Sequence, residues 1–225
     1  MKYFLFVLLS ISSICESRSK DLGAQHLLRE QYRTQCRGPS DIHEHLPHLK
    51  RLAKECSSVV EVGMRTMNSS WALLQGLAES SLDGCSYIGI DLNAPPKEIF
   101  NRAQNLAIRN GISFVFFQAN DMEIDIEPTD LLFIDTLHTY CHLTYELEKF
   151  APKVGKYIAM HDTDEPFGFV DDFWYEGNYS EYPETIDRSK KGLWLAVQDF
   201  LARHPEWSLS EHYYNNHGFT VLKRQ

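Results

Sequence analysis

Five short segments of this chain are apolar on successive residues instead of alternate ones: "SSVVEVG" from Ser57, "CSYIGIDLN" from Cys85, "ISFVFFQAND" from Ile112, "DLLFID" from Asp130 and "KYIAMHD" from Lys156. Strands of that kind are buried on both faces, and a parallel sheet covered by helices is the architecture that buries them. Stretches of helical character separate them. "NSSWALLQGLAES" offers Asn68, Ser69 or Ser70 as an N-cap, "PPKEIFNRAQNLAIRNG" has prolines at its start and Gly111 past its end, and "LTYELEKFAP" follows the fourth strand. Upstream, Asp21 to about Cys56 reads as two helices, the first carrying Leu27, Leu28 and Tyr32 and the second Leu46, Leu49 and Leu52. Downstream, "LWLAVQDFLARHP" reads as a helix, and the strands "WSLSEHYY" and "GFTVLKR" meet through "NNHG" as an antiparallel hairpin. The expected fold is α/β: a mostly parallel seven-stranded sheet, helices on both faces, and a C-terminal antiparallel hairpin.

Composition narrows the function classes. With 43% hydrophobic residues in 225, the chain can bury a full core as one domain, taken here as residues 18–225. Within it, residues 18–56 are N-terminal helices, 57–162 the core of the sheet and 163–191 a long acidic, aromatic loop. Thirty-one acidic against 22 basic residues give a formal charge of −9, which repels phosphate backbones and anionic lipid and argues against nucleic-acid or membrane-surface partners. The first residues, "MKYFLFVLLSISSICES", have the layout of a secretory signal peptide cut after Cys15 or Ser17. That reading places the protein outside the cytosol or in a periplasm. Read as a buried helix or anchor, the same residues leave it cytoplasmic. Cys36, Cys56, Cys85 and Cys141 form no C-x-x-C pair and read as small buried hydrophobes.

In an open parallel sheet, ligands bind beyond the carboxyl ends of the strands. Each predicted strand delivers polar groups there: Glu61 and Gly63, Asp91, Asn120 and Asp121, Asp135 and His138, and His161 and Asp162. Any one of them is more often a helix cap or a solvated loop residue; the repetition over five strands carries the argument. Gly63 allows a close backbone approach, without the spacing of a dinucleotide fingerprint or a P-loop lysine. Asp91 can hold two ribose hydroxyls, which points to a nucleoside cofactor with no pyrophosphate to cradle. Asp135, His161 and Asp162 are a candidate metal set, and His138 is either a general base or a residue that caps the following helix or pairs with a carboxylate.

The chain resembles the class I S-adenosylmethionine-dependent methyltransferases, in particular the branch of cephalosporin-type, macrolide-sugar and rhamnosyl O-methyltransferases. The pieces that carry the resemblance are "VVEVGMRTMNSSWAL", "YIGIDLN", "LLFIDTLHTYCHLTYELEKFAPKVGKYIAMHDT" and "GLWLAVQDFL", spread over Val59 to Leu201. It implies a Rossmann-like methyltransferase fold with S-adenosylmethionine as cofactor. Glu61, Gly63, Arg65, Asn68 and Ser69 would surround its methionine part, Asp91 the ribose, and Asn120 with Asp121 the adenine. Asp135 and Asp162 would bind a divalent cation such as Mg2+, with His161 where relatives carry an acid, and His138 would be the base. The expected reaction is O-methylation of a small-molecule or sugar hydroxyl under a lid that spans Asp164 to Lys191. There, Phe167, Phe169, Phe173, Trp174 and Tyr175 would stack on the acceptor, or equally form buried core under the long loop. A catalytically silent exported binding protein of the same fold is the alternative, and the sequence leaves oligomerisation open.

Overall fold

The computed structural model describes residues 21–172 and 179–225, so the expected signal peptide lies outside the described residues, as do Phe173, Trp174 and Tyr175. β1 (Ser58–Val62), β2 (Ser86–Asp91), β3 (Ser113–Gln118), β4 (Thr129–Ile134) and β5 (Val154–His161) run parallel in the order β3-β2-β1-β4-β5. β7 (Phe219–Arg224) and β6 (Trp207–Tyr213) complete the seven-stranded sheet, with β7 antiparallel to both β5 and β6.

Side chains of successive strand residues enter different cores. Val59, Tyr87, Leu131, Phe133 and Ala159 face one helical layer, and Val60, Ile90, Leu132, Ile134 and Ile158 face the other. Apolar residues are therefore needed at every position, the pattern read in the sequence. The first layer holds α1 (Leu22–Arg37), α2 (Leu46–Lys54), α3 (Asn68–Glu79) and α4 (Lys97–Arg109); the second holds α5 (Tyr140–Phe150) and α6 (Leu193–Arg203). Gly76 is what lets α2 and α3 touch, since a Cβ there would sit 2.4 Å from the Lys50 carbonyl oxygen.

Two local expectations are corrected. The inner stripe of α1 is Ala24, Leu28 and Tyr32, whereas Leu27, one step around the helix, is 43% exposed. At the start of α3, the preceding residue is Met67 in a left-handed conformation, and neither Ser69 nor Ser70 caps the helix. Both hydroxyls are drawn instead to a buried carboxylate, Glu61.

Strand order reverses between β1 and β4, so their carboxyl ends open a crevice. Gly63, with φ 88°, lies in that crevice, and a Cβ on it would fall 1.9 Å from the Asp135 carbonyl oxygen. Here the glycine packs two loops together.

Candidate functional site

β4 and β5 end side by side and bring Asp135, His138, His161 and Asp162 into one cluster. The Asp135 amide donates to the Val62 carbonyl (2.9 Å), which fixes where the chain leaves β4. His161, 1% exposed in its side chain, closes β5, and Asp162 follows with φ 57°, a conformation aspartate tolerates. His161 Nε2 lies 3.0 Å from the Asn216 carbonyl oxygen. A carbonyl only accepts, so Nε2 carries the hydrogen and Nδ1 faces the acids, 2.9 Å from Asp162 Oδ2 and 3.6 Å from Asp135 Oδ1. His138 Nε2 approaches the same oxygens, at 3.0 Å from Asp162 and 3.8 Å from Asp135, and the Phe167 ring lies 4.6 Å from its ring.

Burial opposes charge on both histidines, but the two carboxylates outweigh it. His138 is pushed up to about 9 and His161 well above its ordinary value. Burial likewise opposes charge on Asp135 and Asp162, and hydrogen bonds from His138 and His161 hold both below the usual carboxylate range. Two imidazolium ions thus balance two carboxylates. A cavity of about 10 Å³, lined by residues that include Asp135, His138, Glu146 and His161, adjoins the cluster and has room for about one water molecule. A separate hollow of about 590 Å³, lined by Glu184 to Ser189, shares none of these residues.

One donor atom from each of Asp135, His161 and Asp162 lies within 4.8 Å of the others, and the Asn216 bond leaves His161 Nδ1 as the ligating nitrogen. The set therefore fits a divalent cation, and its imidazole shifts preference from Mg2+ towards Mn2+, Fe2+ or Zn2+.

The candidate cofactor residues are divided. Gly63, Arg65 and Met67 all have positive φ (88°, 43° and 67°), an alternation that ordinarily calls for glycine at each. Met64 N and Arg65 N donate to Asp91 Oδ2 at 2.8 and 2.9 Å, and Asn93 N donates to Oδ1 at 2.8 Å. A carboxylate accepts about four hydrogen bonds, so Asp91 retains capacity chiefly on Oδ1. One acceptor position on Asp91 therefore stays open in this conformation. Asn120 stays half-buried at the rim, where its Oδ1 accepts from Met122 N (3.0 Å). Arg65 is exposed and pairs with Asp41 at 3.1 Å, and Asn68 begins α3.

Glu61, Ser69 and Asp121 turn inward. Glu61 is fully buried and accepts from the hydroxyls of Ser69, Ser70 and Tyr87; burial pushes its carboxyl up to about 7 against those three donors. Asp121 is 7% exposed and lies 2.7 Å from His142 Nε2. The long acidic, aromatic loop is fastened at several points: Asp171 accepts from Tyr140 N, Gly192 N, the Tyr179 hydroxyl and Lys191 Nζ, and Tyr182 and Ile186 are buried. Phe169 is 56% exposed.

Sequence reasoning misses Thr136, His142, Glu146 and Tyr182, which gather beneath the rim, and it misses the Asn216 carbonyl. The four-residue spacing of His142 and Glu146 on one helix face is a usable signal.

Comparison with protein-family models and with curated protein sequences finds no match. Solved structures do match along nearly the whole chain. An O-methyltransferase from Bacillus cereus in complex with SAH has a TM-score of 0.52 at 14% identity over 93% of each chain. Cofactor-bound Rv0187 from MTB has a TM-score of 0.55 at 14% identity over 92% of each chain. TomG from Streptomyces achromogenes, an O-methyltransferase involved in tomaymycin synthesis and solved with SAM, has a TM-score of 0.50 at 14% identity over 93% of this chain and 92% of its own. The chain shares with them the Rossmann-like methyltransferase fold expected from its sequence.

Proposed function

We propose that this protein is an S-adenosylmethionine-dependent methyltransferase that acts on a hydroxyl oxygen of a small molecule or sugar, with a divalent cation held by Asp135, His161 and Asp162. The observation that carries the reading is the convergence of two carboxylates and two histidines at the ends of β4 and β5, beside the crevice between β1 and β4. The cofactor-bound O-methyltransferases of the same fold support it.

S-adenosylmethionine supplies a sulfonium methyl that is already electrophilic, so the protein's task is chiefly to aim and deprotonate the acceptor. Asp91 Oδ1 and Asn120 face the nucleoside, and Phe167 and Phe169 border the acceptor. His138 is held protonated by Asp135 and Asp162, so as it stands it is an acid. A cation held by those carboxylates would supply the positive charge they now draw from His138, and its Nε2 would then be free to accept a proton.

Calorimetric titration of S-adenosylmethionine and S-adenosylhomocysteine into the protein, with and without Mn2+, tests the reading. Micromolar binding supports it, and no binding to a folded protein at millimolar ligand sinks it. His138→Ala is expected to leave cofactor affinity unchanged and to cut turnover by roughly 10²–10⁴-fold. Equal turnover would remove His138 from the mechanism. Full activity after chelation, unaltered by added Mg2+ or Mn2+, would remove the cation.

A further inference from the structure

We propose that Asp121, His142 and Glu146 form a second divalent-cation site, sharing no ligand with the β4–β5 cluster. One donor atom from each of the three lies within 4.8 Å of the others, and the residues are 7%, 6% and 0% exposed. Asp121 Oδ2 is 2.7 Å from His142 Nε2, too far off the ring N–H direction for a well-aligned hydrogen bond, and among the described residues no other donor satisfies it. Burial opposes charge on its carboxyl, yet contact with His142 still holds it below the usual range. Glu146 Oε1 lies 3.8 Å from the same nitrogen. Three potential ligand atoms are therefore gathered in one buried place.

The surroundings orient those atoms as the outer partners of metal ligands do. His142 Nδ1 is 3.0 Å from the Tyr182 hydroxyl, which leaves Nε2 directed at the acids. Thr136 Oγ1 donates to both Glu146 oxygens at 2.9 and 3.0 Å. The nearby ammonium of Lys149 goes to the backbone oxygens of Asp121 and Met122, at 2.7 and 2.9 Å. Two buried carboxylates are left to share one imidazole, an arrangement that needs added positive charge. Two carboxylates and one imidazole suit Zn2+, Mn2+ or Fe2+ over Ca2+. Such an ion ties the turn after β3, and with it Asn120, to the first two turns of α5. The competing arrangement puts a proton on Glu146 and another on His142 Nε2.

The test uses the full chain carrying D135N and D162N, which silences the first cluster, titrated with Zn2+, Mn2+ and Co2+ by calorimetry, with the Co2+ visible spectrum as a second readout. The expected result is one equivalent bound, with a Tm rise of about 5–10 °C at a hundredfold excess over Kd. Tyr182→Phe, which leaves all three ligands in place, is expected to weaken binding roughly 10–100-fold, and His142→Gln to abolish it along with the visible spectrum of bound Co2+. A folded D135N/D162N protein that binds none of the three ions at millimolar concentration overturns the site in favour of shared protons. Unchanged affinity in Tyr182→Phe or in folded His142→Gln overturns it as well. Should His142→Gln fail to fold, Tyr182→Phe decides.

Discussion

Glu61 has no exposed surface, and its oxygens take hydroxyl donors from Ser69, Ser70 and Tyr87. Burial nevertheless dominates and pushes its carboxyl up to about 7 from an ordinary value of 4.5. Between those two values the folded state binds a proton that the unfolded state has released, so Glu61 favours folding at low pH. That contribution is lost as pH rises from about 4.5 to about 7. The loss is at most roughly 3 kcal/mol, because a tenfold change in proton affinity is worth about 1.4 kcal/mol. Glu61→Gln keeps the shape and removes the titration. Urea unfolding at pH 5 and pH 8 is expected to show the variant gaining about 2–3 kcal/mol on the parent at the higher pH. A constant difference would mean that Glu61 is ionised throughout.

The β1–α3 loop sets the same backbone demand on two residues with opposite consequences. Arg65 and Met67 both hold left-handed φ values, which cost a side chain about 1–2 kcal/mol each. Arg65 gains little in return, because its ion pair with Asp41 is largely solvent-exposed. Arg65→Gly is expected to be neutral or stabilising by up to about 1 kcal/mol. Met67 is fully buried, and Met67→Gly is expected to cost about 2–4 kcal/mol, since lost packing exceeds relieved strain. Denaturation midpoints of the two variants both falling well below the parent's would contradict this account. The loop also marks where local sequence rules stop. The strands are legible because burial on both faces demands unbroken apolar runs, and Asp135, His161 and Asp162 because adjacent strands must end together. Ser69 and Ser70 look like caps because the carboxylate that recruits them is eight and nine residues away and invisible to a local rule. Asp121 looks like a rim residue because nothing nearby in sequence reveals that His142 waits beneath it. The Asn216 carbonyl that orients His161 is backbone, and no side-chain pattern records it.

At the scale of the whole molecule, the N-terminal helices and the C-terminal hairpin meet at the turn that holds the site. His45 Nε2–H donates to the Asn215 carbonyl at 2.9 Å and His161 Nε2–H to the Asn216 carbonyl at 3.0 Å, so histidines from the N-terminal helices and from β5 grip consecutive residues of one turn. Asn216 Nδ2 reaches back to the Ser40 carbonyl, and Arg51 pairs with Glu211 at 2.6 Å. His45 is fully buried, stacked 5.2 Å from the Phe219 ring, and burial lowers its pKa to about 4. It is therefore neutral in the fold, whereas the unfolded chain protonates it below about 6.5. Between those values the unfolded state binds more protons, so acid removes up to roughly 3 kcal/mol of stability, the reverse of Glu61 over nearly the same window. The two linkages offset each other, and the parent protein's stability is expected to change less from pH 7 to pH 5 than that of either variant. His45→Gln keeps an N–H for Asn215 and removes the titration. At pH 7.5 it is expected to be less stable than the parent by about 1–2 kcal/mol through lost ring packing. Towards pH 4.5 that gap is expected to close and reverse, as the parent alone is penalised. A gap that stays constant in unfolding curves at pH 7.5, 6 and 4.5 would show that His45 keeps its ordinary pKa in the fold, and that the grip on the turn does not weaken with acid.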